Sequence, residues 1–362
     1  MATPPAAAAN ANPQSDRFLR ACRREPVDRT PVWFMRQAGR YMAEYRAIRE
    51  KATLLEICRD AALCTEVTLQ PVEKIGVDAA ILFADILLPL APMGAPFHFA
   101  AGEGPVIESP VRSRADIAKL RVLENAEGLE YVMNAIKSCR TALAGRVPLI
   151  GFAGAPFTLA SYLIEGGSQK GGSRDFATTK KMMWADPDAW HELLDKLART
   201  VRAYVRQQVA AGAQAIQIFD SWAGCLSPAD YREFVQPHTR LIFDGMKDLG
   251  VPRIHFGVDT GSLLADFAAV GADMVGVDWK TPLDHAIRTV GPSVAVQGNL
   301  DPIALLGPFP ALEKHVLRIL AEAGGRRGHV FNLGHGIVPQ TDPSVVRDVV
   351  ALVHEASAGK TL

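Results

Sequence analysis

The sequence has few of the features that mark disulfide-bonded, metal-binding or membrane-spanning proteins. Its five cysteines are scattered, odd in number and free of any C-x-x-C pair, which argues against a disulfide framework and against a zinc knuckle. Nowhere do about eighteen apolar residues follow one another, so we expect no transmembrane span. This cysteine usage suits a reducing compartment, and we predict a cytoplasmic protein.

Net charge is absent as well. The 362 residues contain 39 Lys and Arg against 39 Asp and Glu, so the formal net charge is zero when histidine is neutral. Such a balance gives no overall electric field that would recruit nucleic acid or an anionic membrane. We therefore expect neither as a partner, and any electropositive site has to be local.

Hydrophobic residues are abundant, at 48% of the chain, and form short apolar runs that alternate with longer amphipathic stretches. Eight runs are predicted as strands, over residues 30–35, 78–83, 147–154, 215–220, 253–258, 273–278, 294–299 and 329–334. Most are continuously apolar, which is typical of parallel strands covered on both faces. A long helix is predicted over residues 186–212, because that stretch opens with Asp-Pro and closes with glycine.

The repeated strand–helix order predicts an α/β fold, a single-domain (β/α)8 TIM-type barrel. An open doubly wound sheet is the main alternative, but its Gly-rich phosphate turn is missing. The GEGP segment at residues 102–105 lies between FHFA and VIES, which predicts a β-hairpin instead. No long linker divides the chain. We therefore predict one catalytic domain over residues 16–362 after a disordered Pro/Ala-rich tail over residues 1–15.

In barrels of this type the catalytic groups lie on loops that follow the carboxyl ends of the strands, around a cleft at that face. Five of the eight predicted strands are followed by polar candidates. They are Arg36 and Arg40 after the first strand, Asp85 after the second, Tyr162 after the third, Ser221 after the fourth and His335 after the last.

The arginines after the first predicted strand form a candidate anion site. Guanidinium groups bind carboxylates and phosphates through paired hydrogen bonds and stay charged, so Arg36 and Arg40 suit a polyanionic ligand. Gly39 would let backbone amides approach that ligand. The alternative is a solvated helix face on which the arginines pair with Glu44 and Glu50. Arg46 and Arg49 follow, and the pattern favours the surface for both.

Two strand-end carboxylates interrupt apolar runs. Asp85 stands between AILFA and ILLPL, and a buried carboxylate needs a cation, N–H donors or a ligand. An N-cap on the following segment explains it equally well. Asp220 could orient the barrel rim or bind substrate. For Tyr162 the alternative is core packing, and for Ser221 a helix cap, since no G-x-S-x-G elbow surrounds the serine.

The histidines differ in their surroundings. His335 lies between two glycines in NLGHGI, a position from which an imidazole can donate to an anion or transfer a proton. His255 lies inside an apolar strand and is predicted to belong to the core. No H-E-x-x-H or similar local pair indicates a metal site, and none is predicted.

Taken together, the motifs resemble those of the uroporphyrinogen decarboxylase family of haem biosynthesis. The resemblance spans about residue 16 to about residue 355 and rests on PVWFMRQAGRYMAEYR, FADILLP, GFAGAPFTLASYLIEGG, IFDSWAG, QGNLDP and FNLGHGI, in this order. It implies a cofactor-free homodimer of (β/α)8 barrels that removes CO₂ from the four acetate side chains of uroporphyrinogen to give coproporphyrinogen.

The same resemblance implies roles for particular residues. The carboxylate-binding loop would consist of Arg36, Gln37, Ala38, Gly39 and Arg40. Asp85 would bind the central pyrrole N–H groups, and Tyr162, Ser221 and His335 would line the cleft, with Arg49 as a further contributor. Our hypothesis is that Asp85, Arg36, Tyr162 and His335 are catalytic, with Asp85 stabilising a cationic intermediate.

Two rival functions share this fold. Zinc- and corrinoid-dependent methyltransferases with a similar barrel tend to end the fifth strand in His-x-Cys, but RIHFGV has Gly257 at that position and the last strand is followed by His335 rather than by a thiol. Without soft thiolate ligands a zinc site is not expected. A tetrapyrrole carrier on the same scaffold would need only the arginines and an apolar floor, whereas Asp85, Tyr162 and His335 together favour catalysis.

Overall fold

The computed structural model describes residues 15–99, 104–167 and 175–359. Of the predicted tail over residues 1–15 only Ser15 lies within this part, and residues 102 and 103 of the predicted hairpin turn lie outside it. Within it the strands are β1 (Ala80–Ile81), β2 (Phe97–Phe99), β3 (Pro105–Ile107), β4 (Leu149–Gly154), β5 (Ala215–Asp220), β6 (Arg253–Gly257), β7 (Met274–Gly276), β8 (Ala295–Gln297) and β9 (His329–Val330).

The α-helices surround these strands. They are α1 (Arg17–Cys22), α2 (Ala43–Arg49), α3 (Leu54–Arg59), α4 (Ala61–Lys74), α5 (Leu90–Met93), α6 (Arg114–Lys119), α7 (Glu130–Leu143), α8 (Pro156–Glu165), α9 (Ala177–Ala185), α10 (Pro187–Ala211), α11 (Pro228–Phe234), α12 (Gln236–Asp244), α13 (Leu264–Ala269), α14 (Leu283–Val290), α15 (Phe309–Ala323) and α16 (Pro343–Ser357). Short 3₁₀ turns cover Ala223–Cys225, Lys247–Leu249, Gly261–Leu263 and Pro302–Leu306. None of the helices described is long and apolar enough to cross a membrane.

Seven of the strands form one parallel sheet in the order β1-β4-β5-β6-β7-β8-β9. Each crossover between neighbours contains helix, as parallel pairing requires. The remaining strands, β2 and β3, pair antiparallel with Phe97 opposite Ile107, which confirms the predicted hairpin. Sequential strand order with helices outside is the predicted α/β barrel arrangement.

The prediction of a strand over residues 30–35 is wrong, because this segment forms only a single parallel bridge, between Val32 and Phe331. Its backbone nevertheless joins both ends of the sheet. Trp33 N–H donates to the Phe331 carbonyl at 3.3 Å, and Asp78 N–H donates to the Val32 carbonyl at 2.7 Å. Regular pairing fails because Pro31 has no N–H and the Val32 N–H is taken by the Asp78 side chain at 2.8 Å. The segment thus occupies the eighth place of the ring.

The second and last predicted strands also prove shorter than expected, as β1 and β9. Side chains end the regular pairing there. The Phe83 N–H donates to Thr68 Oγ1 at 3.0 Å, just beyond β1. By contrast, the predicted helix over residues 186–212 is confirmed as α10, with the Asp186 carboxylate accepting the Ala189 N–H at 3.3 Å. Gly212 ends it at φ +121°, a conformation that favours glycine.

The inside of the ring is filled in layers. Near the middle, Trp33 Nε1 donates to Gln297 Oε1 at 2.8 Å, and Gln297 Nε2 donates to Gln217 Oε1 at 3.0 Å. Closer to the carboxyl ends of the strands, the rings of Phe152, Phe219 and Phe256 meet edge to face, with centroids 5.5 and 5.8 Å apart. This aromatic layer gives the end of the barrel an apolar floor.

Candidate active site

The loop after residues 30–35 places Arg36 at the carboxyl end of the barrel. Met35 is held from both sides, since its N–H donates to Asn332 Oδ1 at 3.1 Å and its carbonyl accepts the Ile337 N–H at 3.0 Å. Arg36 itself is exposed and has φ +60°, in the left-handed region. The first and last exits of the barrel are therefore in direct contact at this arginine.

Gln37 has a different place from the one its motif suggested. Its side chain is 1% exposed, with Oε1 accepting the Phe34 N–H and Nε2 donating to the Ala79 carbonyl, both at 3.0 Å. Its carbonyl accepts the Tyr41 hydroxyl at 2.7 Å. The side chain therefore ties the loop to the start of β1.

The rest of the loop is more open. Ala38 and Gly39 are partly exposed and Arg40 is exposed. A Cβ at Gly39 would lie 3.1 Å from the Arg36 carbonyl oxygen, so glycine lets the turn close. Arg46 Nη1 donates to the carbonyls of Arg40 and Tyr41, each at 2.9 Å, and so braces the turn from behind.

The arginines of this region do not form the helix-face pairs that were the alternative. Glu44, one of the proposed acidic partners, lies 3.3 Å from Lys74 Nζ. Arg49 is exposed, as its spacing favours, and its Nη1 donates to the Ala52 carbonyl at 2.6 Å. Arg49 therefore stands further along the rim, at the end of α2.

Asp85 follows β1 and combines the two readings that the sequence left open. Its Oδ1 accepts the Leu87 N–H at 2.8 Å, so the carboxylate caps the turn that follows. The side chain is also partly buried, and burial raises its pKa, while the Leu87 N–H and the charge of Arg36 act in the opposite direction. Arg36 is thus near enough to favour the ionised form of Asp85.

The exits of β4 and β5 bring Tyr162 close to the Ser221 turn. The rings of Tyr162 and Trp222 have centroids 5.9 Å apart. Thr158 connects this turn to Asp220, because its hydroxyl donates to Asp220 Oδ1 at 3.0 Å and accepts the Trp222 N–H at 3.3 Å. Asp220 is fully buried and faces α8, so it orients the turn from behind.

His335 is partly buried and meets Trp279 edge to face, with centroids 6.3 Å apart. Gly334 allows this approach, since a Cβ there would lie 2.2 Å from the backbone nitrogen of Trp279. The sequence reasoning missed Trp279, although it directly follows a predicted strand. Beside it, burial raises the pKa of Asp278, whose Oδ1 accepts the Lys280 N–H at 3.0 Å. The exits of β7 and β9 thus form one wall.

His255 belongs to the core, as predicted. Its ring stacks on Phe267 with centroids 3.7 Å apart, and Nδ1 lies 3.4 Å from the Phe267 carbonyl oxygen. Among the residues described, no cluster of three or more His, Cys, Asp or Glu side chains is arranged to hold a metal ion. The predicted site residues instead fall into two groups, Arg36, Asp85 and His335 on one side and Tyr162 with Ser221 on the other.

Comparison with known proteins bears on this site. The family model for uroporphyrinogen decarboxylase matches residues 13–356. The uroporphyrinogen decarboxylase of Sorangium cellulosum is 61% identical over 339 residues, covering 94% of this chain and 96% of its own. That of Carboxydothermus hydrogenoformans is 56% identical over 344 residues, covering 95% and 97%.

Among solved structures, a methyltransferase from Methanosarcina mazei has a TM-score of 0.79 at 21% identity, covering 94% of this chain and 98% of its own. That likeness shows the TIM-like fold alone, since so low an identity leaves the chemistry of the site open. The sequence matches are stronger evidence than this structural likeness, because they cover nearly the whole chain, including all the strand exits that carry the site. On this evidence the chain belongs to the uroporphyrinogen decarboxylase family.

Proposed function

We propose that the strand exits described above are where this carboxy-lyase of haem biosynthesis binds uroporphyrinogen and removes CO₂ from its four acetate side chains. The observation that carries the proposal is Asp85, a partly buried carboxylate at the exit of β1 whose pKa is raised by burial and lowered by the nearby charge of Arg36. An anion in that position can accept hydrogen bonds from converging pyrrole N–H groups. Arg36 and Arg40 at the rim suit the carboxylates around the macrocycle.

The reaction needs an electron sink, and the pyrrole can supply one. Protonation of the pyrrole α-carbon, next to the ring carbon that bears the acetate, makes the ring cationic. The C–C bond to the carboxylate then breaks, CO₂ leaves, and the electron pair neutralises the ring as an exocyclic methylene. A second proton on that methylene, followed by loss of the ring proton, leaves a methyl group. A cofactor is not required for this sequence, and we propose that none takes part.

The residues divide this work according to their positions. Asp85 binds the N–H groups and stabilises the cationic ring, since a fixed anion near developing positive charge lowers the barrier. Arg36 receives the carboxylate that leaves and is the candidate for relaying a proton through water or a propionate. A guanidinium holds its proton too tightly for direct donation to be favourable. Tyr162 and His335 assist from the two sides of the site, Tyr162 beside Trp222 and His335 beside Trp279.

Substrate binding involves the remaining residues of the rim. We propose that Arg40, Ser221 and the backbone of Ala38 and Gly39 contact the propionates and acetates, with Arg49 contributing further out. Gln37 would act by holding the loop in shape, because its side chain is engaged with Phe34 and Ala79.

The direct test is anaerobic incubation of the purified protein with uroporphyrinogen, without added metal or cofactor, followed by oxidation and separation of the porphyrins by carboxylate number. We expect intermediates with seven, six and five carboxylates on the way to the four-carboxylate product. Unchanged eight-carboxylate material from a folded protein that binds the substrate would contradict decarboxylation and indicate a carrier.

The first prediction concerns Asp85. The Asp85→Asn variant keeps the size and the bond from Leu87 but loses the charge, so we expect kcat to fall by at least about 100-fold with little change in thermal stability. Asp342→Asn is the matched control, since Asp342 Oδ1 likewise accepts an N–H two residues ahead, from Ser344 at 2.8 Å. Nearly normal kcat in Asp85→Asn would remove Asp85 from the mechanism.

We further propose that the protein is a cytoplasmic homodimer. The support is the family resemblance and, for the compartment, five unpaired cysteines among the residues described. Light scattering coupled to size exclusion should give twice the mass of one chain. A monomer at micromolar concentration that is fully active would contradict the dimer.

A further inference from the structure

We propose that residues 332–337, which we call the β9 exit loop, position the catalytic Arg36, and that Asn332 and Gly336 are positioning residues for the reaction. The inference rests on the proposed function in one respect, the binding of a substrate carboxylate by Arg36. It concerns how an exposed arginine on a loop is held in one conformation before the substrate arrives.

The backbone on either side of Arg36 is fixed. Both backbone polar groups of Met35 are bonded to the β9 exit loop, through Asn332 Oδ1 and the Ile337 N–H. Asn332 is fully buried, and its Oδ1 also accepts the Leu333 N–H at 2.7 Å, so it cannot rotate away without breaking two bonds. On the other side Gln37 is tied to Phe34 and Ala79.

Between these fixed points Arg36 adopts φ +60°. A residue with a Cβ is strained in this region, and it keeps this conformation only where its surroundings hold it there. Here the hydrogen bonds of Met35 and Gln37 hold the backbone on both sides of Arg36. The strained backbone sets the direction in which the Arg36 side chain leaves the loop.

The side chain itself lies across Gly336. A Cβ at position 336 would be 2.4 Å from Arg36 Cδ, 2.7 Å from Cγ and 3.1 Å from Nε. The aliphatic part of Arg36 therefore passes directly over the glycine backbone, next to His335. Only a residue without a side chain leaves this path open, so Gly336 decides where the guanidinium lies.

This arrangement has a consequence for binding. An arginine side chain that is free in solvent samples many rotamers, and part of this conformational entropy is lost when it binds a carboxylate. An arginine already held over Gly336 loses less, and its guanidinium stays near Asp85. Displacing it by about 1 Å can reduce the rate by about 100-fold.

The test is the Gly336→Ala variant. The three atoms nearest to the added Cβ all belong to the side chain of Arg36, which can move, so we expect the protein to fold with unchanged thermal stability. We expect kcat/KM for uroporphyrinogen to fall about 10- to 100-fold. Because the charge of Arg36 moves relative to Asp85, the acid limb of the pH profile should also shift. The acid limb is the range over which activity is lost as the pH falls. A purely structural role of Gly336 would not move that limb.

Gly245→Ala is the matched control. A Cβ on Gly245, which follows α12, would lie 2.4 Å from Cδ and 2.5 Å from Cγ of Arg202 in α10, a similar clash against an arginine side chain. We expect its kcat/KM to equal that of the parent protein. In an Arg36→Ala background, moreover, Gly336→Ala should change kcat/KM by less than about twofold, because no side chain remains to be displaced.

The outcomes separate this proposal from the proposed function. A parent protein that binds but does not decarboxylate uroporphyrinogen would overturn the proposed function. An active parent together with an equally active Gly336→Ala variant would overturn the positioning role alone. The same loss from Gly336→Ala with and without Arg36 would also overturn it, since the effect would then pass through some other group.

Discussion

At the scale of single residues, the role proposed for Asp85 depends on its charge state, because only an ionised carboxylate accepts hydrogen bonds from several pyrrole N–H groups at once. Burial raises the pKa of this carboxyl group, and the Leu87 N–H and the charge of Arg36 both lower it. Activity that depends on ionised Asp85 is therefore present above this pKa and is lost as the pH falls through it. The position of the acid limb of the pH profile reports the balance among these influences.

Replacement of Arg36 by glutamine should move that limb. Removing the positive charge takes away one of the two influences that favour the carboxylate, so the pKa of Asp85 rises and the loss of kcat/KM begins at a higher pH. The measurement is kcat/KM as a function of pH, because kcat/KM reports the ionisation of groups in the free enzyme. Arg288→Gln, on the exposed face of α14 where Arg288 Nη1 lies 2.8 Å from Asp284 Oδ2, is the control and should leave the limb in place. An acid limb that stays fixed or moves to lower pH in Arg36→Gln would contradict the assignment.

The sequence predicted residues at strand exits better than it predicted side-chain directions. Arg36, Asp85 and His335 could be found because each follows an apolar run. The buried orientation of Gln37 could not, since its partner is the carbonyl of Ala79, 42 residues away in the chain. Trp279 gave the same signal as the others, a position just after an apolar run, but was not singled out.

At the scale of elements, α10 completes a strand that β1 leaves short. Gln208 of α10 is fully buried, with Oε1 accepting the Phe152 N–H at 2.9 Å and Nε2 donating to the Phe152 carbonyl at 2.8 Å. The partner of β4 ends at Ile81, opposite Ile150. Beyond that point a glutamine side chain supplies the two hydrogen bonds that the next residue of a strand would have made.

We expect Gln208→Leu to lower the free energy of unfolding by about 2–4 kcal/mol, because it leaves two buried backbone groups of Phe152 without partners. Urea unfolding followed by circular dichroism measures this loss. Gln207→Leu is the control, since the neighbouring glutamine is partly exposed and should change stability by less than about 0.5 kcal/mol. Equal losses in the two variants would show that Gln208 does not complete the sheet.

The same elements show where sequence prediction reaches its limit. The predictions for β4, β5 and α10 came within two residues of the observed bounds because apolar runs and caps determine them locally. Those for β1 and β9 were too long, and residues 30–35 do not form a strand. Their ends are set by side chains distant in sequence, such as Thr68 at Phe83 and Asn332 at Met35, and an apolar run carries no information about such partners.

At the scale of the whole molecule, one carboxylate closes the ring at the end opposite the site. Asp78 is 5% exposed and precedes β1. Its Oδ1 accepts from Arg17 Nη1 at 2.7 Å, and its Oδ2 accepts from the Val32 N–H at 2.8 Å and lies 2.6 Å from His354 Nε2. A helix near each end of the chain is thereby joined to the point where residues 30–35 meet the sheet.

We therefore expect Asp78→Ala to destabilise the fold by about 3–5 kcal/mol, because Arg17 is almost fully buried and would lose the partner that shares its environment. Urea unfolding measures the loss. At temperatures below its unfolding transition, the variant should have a kcat close to that of the parent protein. The reason is that the end of such a barrel opposite the active site contributes to stability and not to catalysis. Asp28→Ala is the comparison: Asp28 also binds Arg17, at 2.6 Å, but its side chain is 55% exposed, so its removal should cost about 1 kcal/mol. Equal losses in the two variants would mean that the pairing with Arg17 alone matters and that Asp78 does not hold the closure.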